Sequence, residues 1–126
     1  MRTLGFIFGL LVAGSAAAAT PSEILKDFEA AGAAAPSAPR GERFFNAKHA
    51  SDWSCASCHT ANPLEAGRHA RTGKTIAPLA PAANPERFAD SARVDKWFRR
   101  NCNDVLGRTC SAQEKADVLA YLLSLR

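Results

Sequence analysis

Cys55-Ala56-Ser57-Cys58-His59 is the stretch on which the reading of this sequence turns. Two thiols three residues apart, followed at once by an imidazole, share one face of a helical turn, because positions i, i+3 and i+4 are neighbours there. Several chemistries use such a pair. A thiol–disulfide exchange site needs a βαβ setting, and no strand pattern surrounds this motif. A zinc site needs a second ligand pair, and the remaining cysteines, Cys102 and Cys110, are spaced too widely for the usual C-x2–4-C arrangement. A plain disulfide between Cys55 and Cys58 gives His59 no role. Covalent attachment of a c-type haem accounts for all three residues: Cys55 and Cys58 form thioethers with the two vinyl groups, and His59 becomes the proximal iron ligand. One haem c is therefore expected.

The surrounding composition agrees with a small exported domain. The chain has 126 residues and four cysteines. Residues 1–19 read as a secretory signal, with Arg2 as a basic start, an apolar run from Leu4 to Val12, and Ala17 and Ala19 before Thr20. The apolar run is shorter than the ~20 residues of a bilayer span. Periplasmic export is expected, in a compartment that permits disulfides, and the processed chain is not expected to be integral to a membrane. Net charge is +4, without a long basic run, so nucleic-acid binding has little support. A chain this short builds only a modest core from side chains, and a covalently held haem supplies part of the rest.

Periodicity places the motif in an all-α chain. Thr20-Pro21-Ser22-Glu23 is a capping box ahead of Ile24, Leu25, Phe28 and Ala31, and Gly32 is a natural stop. Residues 33–39 read as an Ala/Pro/Ser linker, so 20–39 form an N-terminal helix and linker and 40–126 the monohaem domain. A helix is predicted over Arg40–Ala47, a polar connection over Lys48–Ser54, and a long ordered loop over 60–83, which demands a reason such as wrapping a large cofactor. Asn84-Pro85 begins a short helical turn. A helix starting at Asp90 or Ser91 is predicted to run through Asn101, and a last one follows the Ser111–Glu114 capping box, with Val118, Leu119, Leu122 and Leu125 at helical spacing. Phe44 and Phe45 are expected to pack on Leu119, Tyr121 or Leu122, with Gly41 allowing close approach.

The sixth iron position is a separate question. His/Met ligation is common in small cytochromes c, but Met1 is the sole methionine and leaves with the leader. The remaining candidates are His49, His69, a lysine, an asparagine, or nothing. His49 reads as a surface histidine and His69 as the main histidine rival. Cys102 and Cys110 are expected to form a disulfide worth roughly 2–3 kcal/mol by loop entropy. Asn101 and Asn103 flank Cys102, so a pinned backbone there would hold an amide oxygen near the iron.

From Thr72 onward the sequence resembles the sphaeroides haem protein family, small periplasmic class I-type cytochromes c with a high-spin haem. The matching segments are Thr72-Gly73-Lys74, Ile76-Ala77-Pro78-Leu79-Ala80-Pro81, Pro85 with Arg87-Phe88, Asp90-Ser91-Ala92-Arg93-Val94 and Lys96-Trp97. They continue through Arg100-Asn101-Cys102-Asn103, Gly107-Arg108, Cys110, Glu114-Lys115-Ala116-Asp117 and Leu119-Ala120. The resemblance implies a class I cytochrome c-like fold, Asn101 as the axial ligand of the oxidised iron, and a Cys102–Cys110 disulfide. It implies further that the asparagine leaves on reduction and opens a site for O2 or NO. A neutral amide oxygen is a hard donor that suits Fe(III) better than Fe(II), which fits that behaviour. Electron donors implied by the resemblance are a dihaem cytochrome c and a membrane cytochrome b, and an oxidase or nitric oxide dioxygenase-type activity at the open iron is among its implications. The contrasting expectation is a plain electron carrier with a permanently six-coordinate His/His haem through His69.

Overall fold

A computed structural model describes residues 17–126; residues 1–16, which hold most of the expected leader, lie outside the described residues. Five helices and one short hairpin follow in the order α1 (Pro21–Ala30), α2 (Ala38–Asn46), α3 (Ala56–His59), β1 (Gly67–Arg68), β2 (Thr75–Ile76), α4 (Ser91–Leu106) and α5 (Ala112–Ser124). No described helix is long and apolar enough to cross a membrane.

Capping chemistry fixes the outer helices where the sequence places them. Thr20 accepts the Glu23 N–H while the Glu23 carboxylate accepts the Thr20 N–H at 2.7 Å, and Pro21 occupies the first turn. Ser111 and Glu114 repeat the device at the start of α5. Helix α2 begins two residues earlier than expected, because Ser37 caps it by accepting the Arg40 N–H and Pro39 fits the first turn.

The core is the crossing of α2 on α5, with α1 laid beside them. Ile24, Phe28, Phe45, Leu119, Tyr121 and Leu122 form its buried centre. Phe45 packs on Tyr121 with ring centroids 5.6 Å apart, as expected, whereas Phe44 turns toward His49 at 4.7 Å. The helices touch at Gly41. An added Cβ there would overlap the Asp117 carbonyl group and lie 2.9 Å from the Val118 nitrogen, so the crossing requires a residue without a side chain.

Asp117 fastens this crossing. Its buried carboxylate accepts the Ser37 N–H at 2.7 Å, two Arg40 guanidinium N–H groups at 2.8 and 2.9 Å, and the Gln113 amide at 3.0 Å. Burial alone pushes its pKa up. The Arg40, Ser37 and Gln113 hydrogen bonds outweigh burial, and the net pKa is lowered.

Two expectations are corrected. Helix α4 does not end at Asn101 but continues to Leu106, where Gly107 adopts a left-handed conformation (φ 70°) and its N–H donates to the Asn103 carbonyl. Burial of Val105 and Leu106 in a second cluster with Cys102 and Cys110 supports the extra turn. The 60–83 segment is largely loop, as expected, yet it carries a two-residue antiparallel ladder pairing Gly67 with Ile76 and Arg68 with Thr75. At Asn84-Pro85 the expected short turn forms, the Arg87 N–H donating to the Asn84 carbonyl at 3.0 Å. The Cys102–Cys110 disulfide is present and ties the last turns of α4 to the residue before the α5 cap, with Cα atoms 5.6 Å apart.

Candidate cofactor site

Helix α3 is a single turn built around the C-x-x-C-H motif. The Cys58 and His59 N–H groups both donate to the Cys55 carbonyl, at 3.2 and 3.0 Å. Ser54 and Ser57 hold the entrance reciprocally: the Ser54 N–H donates to the Ser57 hydroxyl at 2.9 Å and the Ser57 N–H to the Ser54 hydroxyl at 3.1 Å. The turn stops at Thr60, a β-branched residue at φ 63°, where its hydroxyl donates to the Asn62 carbonyl at 2.7 Å. This conformation is disfavoured for a β-branched side chain, and such strain concentrates at functional sites.

The hairpin locks the turn from outside. Gly67 lies so close that an added Cβ would overlap the Cys58 carbonyl. The Ala70 N–H donates to the Cys58 sulfur at 3.3 Å. Sequence reasoning missed this contact, although an isolated glycine in a loop was a visible signal for a close backbone approach.

The three motif residues have the state that haem attachment requires. Cys55 and Cys58 are free thiols, not paired with each other. Burial pushes the Cys55 thiol up to about 11, so it stays neutral. Burial, with a smaller contribution from the nearby Arg87 charge, lowers His59 to about 4. The imidazole is therefore neutral at pH 7 and offers a lone pair to a metal. Its ring packs 6.3 Å from Phe45, which anchors it to the core. Among the described residues no group of three or more His, Cys, Asp or Glu side chains gathers into a metal cluster, so the zinc alternative has no second ligand pair. Two free thiols and a neutral imidazole on one turn fit a covalently held haem c: Cys55 and Cys58 would carry it and His59 would face its iron.

The other candidates fall in different places. Asn101 lies half-buried on α4, and its side-chain amide makes no hydrogen bond among the described residues. Asn103 is exposed. His49 is half-buried, and its Nε2 donates to the Phe44 carbonyl at 3.0 Å. His69 sits in the hairpin, its Nδ1 accepting the Arg71 and Thr72 N–H groups at 3.2 Å each. That geometry leaves the proton on Nε2, so His69 has no free lone pair there. Of the arginines around the site, Arg71 stacks over Trp53 and Arg100 over Trp97, with the cationic carbon 5.4 and 5.6 Å from the ring centroids. Arg87, which the sequence marks only as part of the family resemblance, takes a place that was not anticipated. It is half-buried and donates to the Pro78 carbonyl at 3.0 Å and the Ala77 carbonyl at 2.8 Å.

Comparison with known proteins adds four findings. A family model described as a domain of unknown function (DUF1924) matches residues 31–122. The cytochrome c-type protein SHP of Cereibacter sphaeroides is 47% identical over 122 residues, covering 92% of this chain and 94% of the relative. A solved structure of oxidised SHP, described as an oxygen-binding cytochrome c, superposes with a TM-score of 0.77 at 48% identity, covering 83% of this chain and 96% of that one. The solution structure of cytochrome c'' from Methylophilus methylotrophus, described as giving insight into haem-ligand detachment, superposes with a TM-score of 0.70 at 41% identity, covering 82% of this chain and 92% of that one.

Proposed function

The chain belongs to the DUF1924 family and to the SHP-like cytochromes c, and on that premise we propose that it is a periplasmic redox protein whose asparagine ligand leaves the haem iron on reduction. It is a c-type cytochrome with a class I-like helical fold and one covalently bound haem c. When bound, the haem supplies an iron that alternates between Fe(III) and Fe(II) and takes axial ligands. Cys55 and Cys58 hold the group, and His59 presents a neutral ring nitrogen on the proximal side.

The observation that carries the proposal is the contrast between Asn101 and the two histidines. Asn101 offers a half-buried amide without a protein partner, on a helix fastened by the Cys102–Cys110 bridge one residue away. His49 and His69 are both engaged by backbone groups. A permanently six-coordinate His/His carrier would require His69 to give up both N–H donors and exchange its tautomer. Asn101 needs no such rearrangement, and its hard oxygen favours Fe(III) over Fe(II). Its departure on reduction leaves room for O2 or NO. We further infer that electrons arrive from partner cytochromes, a dihaem cytochrome c or a membrane cytochrome b.

Absorption spectra test this reading. Asn101→Ala changes the spectrum of the oxidised protein, and carbon monoxide shifts the spectrum of the reduced wild type. A reduced protein that stays low-spin and does not respond to carbon monoxide refutes ligand release. A spectrum altered only by Asn103→Ala or His69→Ala refutes the assignment to Asn101.

A further inference from the structure

Trp97 is the one large apolar side chain that stands exposed among the described residues, at 44% of its surface. It lines a cleft of about 600 Å³ together with Arg87, Ala92, Arg93 and Lys96. Three cations border this cleft and no carboxylate does. Arg93 and Lys96 make no side-chain ion pair among the described residues, and Arg100 stacks on the Trp97 ring with its cationic carbon 5.6 Å from the centroid. An aromatic wall edged by unpaired cations is complementary to a flat apolar group that carries negative charge along one edge.

Arg93, Trp97 and Asn101 follow one another at intervals of four on α4, so they form one stripe about 12 Å long. If Asn101 addresses the iron, as proposed above, Trp97 and Arg93 lie along the same side of the cofactor. On the other side, Arg87 is pinned by the Ala77 and Pro78 carbonyls, near enough to His59 for its charge to act on the imidazole. A slot bounded by the proximal histidine's neighbour and the distal helix is where a haem edge would emerge.

We propose that Arg87, Arg93 and Lys96 form the carboxylate-binding end of the haem site, pairing with the two propionates while Trp97 covers the adjoining ring edge. This inference rests on the reading of α4 as the distal helix. Arg87 serves as the fixed member, since backbone carbonyls orient its guanidinium in advance. Arg93 and Lys96 are the adaptable members on the open side. The charged groups around the cleft are Arg87, Arg93 and Lys96, with Arg100 stacked on Trp97. The nearby Asp90 carboxylate is occupied in capping α4 by accepting the Arg93 N–H at 3.0 Å.

The test uses the haem-loaded full chain, with the midpoint potential recorded against pH. Cations beside a propionate hold it ionised to lower pH. In the Arg93→Gln/Lys96→Gln double variant the proton-linked step in the potential should therefore move up by about one pH unit. The potential above that step falls, because lost positive charge favours the more positive Fe(III) form. Arg93→Lys and Lys96→Arg, which keep the charge, leave the step in place. The proposal is overturned if the double variant's curve superimposes on that of the wild type. It is equally overturned if added inorganic phosphate shifts the wild-type potential and not the variant's, since the cleft would then be an open anion site. The axial-ligand reading fails separately: Asn101→Ala would leave the oxidised spectrum unchanged while the proton-linked step still moved in the double variant.

Discussion

Replacing Gly41 by alanine sets helix propensity against packing at one atom. On an isolated helix the change stabilises by about 1 kcal/mol. Here the new methyl would overlap the carbonyl carbon and oxygen of Asp117 and sit 2.9 Å from the Val118 nitrogen, all of them backbone atoms of α5 that have no rotamer to escape into. Only separation of the two helices relieves the overlap. A gap of 0.5–1 Å along the seam forfeits a quarter to a half of each dispersion contact across it, and the seam contains Phe45, Leu119 and Leu122, each no more than 1% exposed. Overpacking of this kind costs roughly 1–3 kcal/mol, and separation also lengthens the Arg40 and Ser37 hydrogen bonds to Asp117. Net destabilisation of about 2–4 kcal/mol is expected, or a fall of roughly 10–25 °C in Tm for a domain of this size. Guanidinium denaturation of the haem-loaded protein, followed by far-ultraviolet circular dichroism, reads it directly. A Gly41→Ala protein as stable as the wild type, or more stable by the propensity gain, would refute the close-contact argument.

Two further outcomes follow from the same geometry. Because the folded pKa of Asp117 is lowered, its contribution to stability is complete above the unfolded-state value of ~3.9 and disappears as pH falls through the folded value. Asp117→Asn should therefore lower stability at pH 7 and flatten the acid limb of a stability–pH curve, and an unchanged acid limb would show that the carboxylate has no such role. Gly67→Ala, which pushes the hairpin off the Cys58 carbonyl, should reduce the fraction of chain carrying covalent haem after maturation, as measured by haem absorbance per polypeptide mass. Full loading would count against the hairpin as a lock on the attachment turn.

Helices α1 and α5 were legible because each opens on a capping box, a local signal that needs no tertiary context. The attachment turn was legible because the chemistry fixes its spacing. The rest depends on contacts between distant residues. The last turn of α4 follows a polar Asn101-Cys102-Asn103 run with little apolar periodicity, and its stability comes from Val105 and Leu106 meeting the disulfide cluster. Strands of two residues have no period to detect, and the hairpin exists because Gly67 can reach Cys58. Arg87 stood out only as part of the family resemblance, not for its contacts. Its importance lies in two carbonyls nine and ten residues upstream.

The Asp117 clasp joins groups 77 and 80 residues away along the chain, and Gln113 reaches Ala34 across 79. Contacts of such range can form only after most of the polypeptide has been brought round into a ring, and folding rates fall as contacts become less local. The Cys55–His59 turn lies within the span that this clasp closes, between Arg40 and Asp117. Once a rigid plane is bonded there, the span loses conformational freedom and the remaining closure costs less entropy. Ligation in the middle of the chain would thus lower the entropic cost of the Asp117 clasp that joins its two ends.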